Sequence, residues 1–92
     1  MSYSGFKIIF PSYLREENGR RHYFNKDECC VMIENICFKY IQSGRGYSVF
    51  DGGSTEDIIK IGLIMDKSSS ILDISDFFQD MKNIGAIRFE KI

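Results

Sequence analysis

The residues of this chain that could carry chemistry do not combine into a reactive set. His22 is the sole histidine, and it stands among the charges of Arg15, Glu16, Glu17, Arg20 and Arg21. A general base needs a group that orients it and a cleft that holds substrate. A solvated side chain on a charged arm is the simpler reading of His22. Cys29, Cys30 and Cys37 lack the paired C-x₂₋₄-C spacing and the four ligands that zinc requires. Cys29 and Cys37 lie two helical turns apart on an apolar stripe, where cysteine acts as a small hydrophobe. Cys30 lacks the C-x-x-C partner of a redox site.

The glycine-rich stretches give no stronger signal. Gly44-Arg45-Gly46-Tyr47 and Asp51-Gly52-Gly53-Ser54 resemble phosphate loops only in glycine content. Neither ends in the Lys-Ser or Lys-Thr that a P-loop places at a helix start. Asp51, Glu56 and Asp57 cluster without EF-hand spacing. There is no Ser-His-Asp set, no G-x-S-x-G and no H-E-x-x-H. The expectation is therefore a protein without metal or cofactor, and not an enzyme.

Charge is the remaining candidate for recognition. Net charge is −1, so no global field draws the chain to nucleic acid or membrane. Its distribution is uneven. Residues 1–50 are net basic, whereas 51–80 carry seven acidic side chains against Lys60 and Lys67. A basic pole at Arg15, Arg20, Arg21 and Arg45 suits phosphates or an acidic protein; an acidic pole at Asp73, Asp76 and Asp80 suits a basic surface.

These groups must be positioned by elements that the patterning specifies. Asn18-Gly19 marks a two-residue hairpin turn, because both positions favour φ > 0. Its register sets Glu17 opposite Arg20, Glu16 opposite Arg21, Arg15 opposite His22, Leu14 opposite Tyr23 and Tyr13 opposite Phe24. Charges pair near the tip and apolar groups at the base. The spacing predicts a charged β-hairpin insertion at about 12–24.

Around it, Phe6, Ile8 and Phe10 alternate as one face of a strand that Pro11 ends or bends. Asn25 with Glu28 reads as a capping box that opens a helix over 26–43, with Cys29, Ile33, Ile36, Cys37, Tyr40 and Ile41 inward and Gly44 as its stop. Residues 46–50 form a short strand, 51–54 a turn, and 57–65 an isoleucine-rich strand. Ser68-Ser69-Ser70 marks a loop. A second helix over 71–83 turns Ile71, Ile74, Phe77, Phe78, Met81 and Ile84 inward and stops at Gly85. Residues 86–92 form the last strand, with Ile87 and Phe89 inward and Arg88 and Glu90 outward.

The order strand, helix, strand, strand, helix, strand matches the α+β, ferredoxin-like βαββαβ arrangement, with four antiparallel strands and both helices on one face. Ninety-two residues make a single domain, 1–92, near the small end for burying a core. The uncovered face carries Ile9, Phe50, Ile58 and Ile64 among Lys7, Ser48, Lys60, Arg88 and Glu90. So many apolar groups suggest a homodimer packed through this face. Strand 57–65 has no aromatic residue, and the basic–aromatic run of RNA-recognition sheets is absent, so RNA recognition by this sheet is not expected.

No apolar run approaches the roughly 20 residues of a membrane span, and Met1–Gly5 lacks a signal-peptide pattern. Three cysteines, two of them adjacent, suit a reducing compartment, so the cytoplasm is expected, that of the host if the gene is a phage's. Fourteen isoleucines against three leucines and one alanine point to an AT-rich genome, common among low-GC bacteria and their phages. The expected function is a small binding protein that occludes a protein or a protein–nucleic acid complex, compatible with a phage or mobile-element inhibitor of bacterial defence. One alternative is a dimeric sensor that holds a nucleotide or other small anion with Arg20, Arg21 and Arg45. Another is an unrecognised enzyme centred on His22 or Cys30.

Overall fold

A computed structural model of the chain describes the backbone of residues 3–17, 20–23, 25–41, 46–66 and 70–92, with side chains over 5–12, 25–41, 46–66 and 70–92. The elements are β1 (Tyr3–Pro11), β2 (Tyr13–Glu17), β3 (Arg20–Tyr23), α1 (Lys26–Tyr40), β4 (Tyr47–Asp51), β5 (Ile58–Asp66), α2 (Ile74–Asn83) and β6 (Arg88–Lys91). Four strands form one antiparallel sheet in the order β4-β5-β1-β6. β5 lies between β1 and β4, and β1 between β5 and β6, as two split βαβ units require. The fold is α+β and ferredoxin-like.

Period-two alternation decides which side chains meet the helices. Ile8 and Phe10 of β1 and Ile59, Ile61, Leu63 and Met65 of β5 enter one core with Cys29, Ile33, Ile36, Cys37 and Tyr40 of α1 and Phe77 and Met81 of α2. No polar or charged residue is buried there among the described residues. Phe6, Phe77, Phe78 and Phe89 form an aromatic cluster over the β1–β6 side, with ring centroids 4.8–6.2 Å apart and mostly edge-to-face. This is the geometry that the ring quadrupoles favour.

Local chemistry sets the helix ends. Asn25 Oδ1 accepts from the Glu28 amide at 2.8 Å, which fixes the start of α1 at Lys26. The C-terminal end comes earlier than the spacing predicts. Ile41 is extended and pairs with Ile71 as an isolated bridge, and the Leu72 amide donates to the Tyr40 carbonyl at 2.8 Å. The same pairing keeps residues 71–72 out of the second helix, which starts at Ile74 behind an Asp73 cap. Ile74 is then 59% exposed, not inward. At the other end, Gly85 (φ 119°) donates to Lys82 O and Ala86 to Met81 O, a Schellman stop. This exit brings Ala86 onto the core and leaves Ile87, expected inward, 58% exposed at the rim.

The hairpin insertion is a separate two-stranded sheet. Its ladder pairs positions 17 with 20, 16 with 21 and 15 with 22, as the turn register predicts. Nearer the base the register shifts between Tyr13 and Arg15, so Tyr13 pairs with Tyr23 and the expected Leu14–Tyr23 pairing does not form. Asn18, Gly19, Phe24, residues 42–45 and residues 67–69 lie outside the described residues. The molecule is elongated, 47 Å on its longest axis against 24 and 18 Å.

Candidate functional site

The sheet face away from the helices is the most developed surface outside the core. The strand registers lay it out as rows that run across the sheet. One row reads Ser48, Ile64, Gly5. The next reads Phe50, Gly62, Lys7, Glu90. A third reads Lys60, Ile9, Arg88. The expected cluster of Ile9, Phe50, Ile58 and Ile64 does share this face. Its members differ in availability. Ile9 is 0% exposed and supplies no surface to a partner, while Ile58 and Ile64 are half-buried. Lys60 on β5 and Glu90 on β6 flank β1 and join at 3.4 Å, so their ion pair crosses β1 beside Ile9.

Phe50 is arranged unusually. A Cβ built on Gly62 would lie only 2.3–2.8 Å from Cζ, Cε2 and Cε1 of its ring. Comparable closeness to three carbons means that the ring lies face-down on Gly62; an edge-on ring would bring Cζ far closer than its neighbours. The other π-face is therefore turned outward, in keeping with 37% exposure. Strand 57–65 has no aromatic of its own, yet an aromatic from β4 covers its centre. An isolated glycine inside an isoleucine-rich strand was the available signal, since such a glycine marks the close approach of another group.

Two cations lie farther across this face. Lys7 is half-buried and Arg88 exposed, and neither has an ion-pair partner among the described residues. One row along from Phe50, Gly46, Tyr47, Ser48, Ile64 and Asp66 line a recess of about 300 Å³. A shallower concavity of about 480 Å³ lies against Asn25, Asp27, Glu28, Val31 and Met32 at the start of α1.

The acidic pole has internal work to do. Asp73 caps α2 by accepting from the Asp76 amide at 3.2 Å, and it does so with φ 48°, a conformation that aspartate tolerates better than most residues. Hydrogen bonding to Asp73 and its charge push the Asp76 carboxyl up from the usual range. Asp80 accepts from the Tyr40 hydroxyl at 2.7 Å and lies 3.7 Å from Lys39 Nζ. It ties α1 to α2. Asp51 pairs with Lys26 at 2.9 Å and accepts from the Gly53 and Ser54 amides, which hold its carboxyl well below the ordinary range. That turn is a local structural unit.

The basic pole divides. Arg15 lies on β2, Arg20 and Arg21 on β3, and Arg45 lies outside the described residues. His22 lies on β3, opposite Arg15 in the ladder. Cys29 and Cys37 are buried, and desolvation pushes both thiols up to about 12; the half-buried Cys30 thiol is raised by the same cause. Thiols held in that form are poor nucleophiles and poor metal ligands. Among the described residues, no group of three or more His, Cys, Asp or Glu could hold a metal ion, and no helix is long and apolar enough to cross a membrane. No protein family, characterised protein or solved structure matches the chain.

Proposed function

We propose that this chain is a non-enzymatic binding protein that acts by occluding a macromolecular partner, and that its β2–β3 ribbon makes the first contact. One observation carries the reading. A ribbon whose sequence holds Arg15, Glu16, Glu17, Arg20, Arg21 and His22 forms its own two-stranded sheet and shares no ladder with the main one. Among the described residues, the apolar core is built from β1, β5, α1 and α2. A charged ribbon paired as its own sheet is the part of the chain best suited to meet a charged partner. Complementary charge then speeds encounter and fixes orientation. The isoleucine-heavy composition fits a phage or mobile-element gene, for which a partner in bacterial defence is the natural target.

The test places a photo-crosslinking residue at Glu16 or Arg20 and captures partners in a low-GC bacterial host. The expected result is one dominant protein crosslinked through the ribbon, its own activity blocked by the purified chain. The crosslink should disappear when Arg15, Arg20 and Arg21 are all changed to Glu in a protein that still folds. A crosslink that survives this triple reversal, or a captured protein whose activity is untouched, would overturn the reading.

A further inference from the structure

We propose that the open face of the sheet binds single-stranded nucleic acid, with one base stacked on the outward face of Phe50 and flanking phosphates held by Lys7 and Arg88. This goes beyond occlusion by the ribbon and rests on a different surface. Three observations converge. The first is the platform. Phe50 lies flat on Gly62, so its outer π-face is presented parallel to the sheet, where any base can stack. Any side chain at position 62 would lift the ring.

The second is charge. On this face Lys60 and Glu90 neutralise each other at 3.4 Å. Lys7 and Arg88 are left unpaired among the described residues. With strands about 4.8 Å apart, Lys7 stands about 10 Å from Phe50 and Arg88, one strand further, about 15 Å. Both side chains are long enough to reach phosphates that flank a base on the ring. The third is the recess at Gly46, Ser48 and Ile64, one row from Phe50, where the exposed Ser48 offers a hydroxyl to a neighbouring nucleotide.

A second copy of the chain suits the face less well. Two-fold packing would bring Lys7 and Arg88 of both copies into one interface, and interface cores are depleted of charge. The apolar group that would have anchored such packing, Ile9, is already fully buried.

The experiment is fluorescence anisotropy with a fluorescein-labelled, mixed-sequence 12-nucleotide single strand, as DNA and as RNA, in about 50 mM salt. Saturable binding of either strand is expected. Phe50→Ala should weaken it about tenfold while Phe50→Tyr retains it. Lys7→Gln and Arg88→Gln should each weaken it and lower the slope of log affinity against log salt by about 1. Circular dichroism checks that each variant folds. The proposal is overturned if the wild-type chain leaves anisotropy unchanged. It is equally overturned if the variants bind as the wild type does, which would move binding elsewhere. Sedimentation showing a stable dimer that Phe50→Ala dissociates would assign the face to a second copy and overturn it too.

Discussion

β5 presents two different molecules to its two sides. Toward the helices it places Ile59, Ile61, Leu63 and Met65, all buried in one apolar core. Away from them it places Ile58, Lys60, Gly62 and Ile64, where a charge, a bare backbone and two half-buried aliphatics alternate. The same strand, read in alternate residues, holds the fold together on one face and leaves the other open to recognition. Stability on the covered face comes from dense burial and edge-to-face rings. On the open face the Lys60–Glu90 ion pair spans β1 and the Phe50 ring covers Gly62.

The largest effect that sharpens this contrast is aromatic truncation on each side. Phe77→Ala, in the core, should cost about 3–5 kcal/mol in urea unfolding. Phe50→Ala should cost only about 1 kcal/mol, because its ring is covered on one face. Equal losses would break the comparison. Next come two glycines of the open face. A Cβ at Gly5 would stand 2.6 Å from the Leu63 carbonyl oxygen, which is backbone and cannot yield. Gly5→Ala should therefore cost about 1–3 kcal/mol. At Gly62 the obstacle is the movable Phe50 ring, so Gly62→Ala should cost less in urea unfolding and raise the exposure of Phe50.

Alkaline pH probes the covered face through its thiols. The Cys29 and Cys37 thiols are raised from 9.0 to about 12 by burial. Above pH 9 the unfolded chain gives up these protons while the folded chain keeps them, so the contribution is full below pH 9 and is lost as pH rises through about 12. The urea midpoint should fall steadily between pH 9 and 10.5, and Cys37→Ala should make that fall shallower. The smallest effect is expected at Phe38, which is 77% exposed on the outer side of α1. Phe38→Ser should change stability by no more than about 0.5 kcal/mol in the same assay.

Much of the fold is legible in the residues. Asn25 with Glu28, the alternation in β5 and the inward stripe of α1 each speak for one local structure, and each forms as read. The misread positions depend on contacts between distant segments. Ile41 leaves its helix because it pairs with Ile71, thirty residues away, and that pairing delays α2 and exposes Ile74. The slip at the base of the ribbon is a bulge that turn chemistry at Asn18-Gly19 does not encode. Asp73, Asp76 and Asp80 read as a charged surface, and the structure adds local duties: Asp73 caps a helix and Asp80 holds Tyr40. The platform on Gly62 was half visible: the glycine marks a close approach, and only the register of β4 against β5 says that the approaching group is Phe50.

The chain contains no tryptophan, so Phe50→Trp places a single indole on the open face. Its emission during titration with an unlabelled 12-nucleotide single strand tests the central claim most directly. In the free protein the indole should emit as a partly exposed group, and added strand should quench it saturably as a base stacks on the ring. Emission fully shielded in the free protein, or unchanged by the strand at saturating concentration, would contradict the account and return this face to structural service.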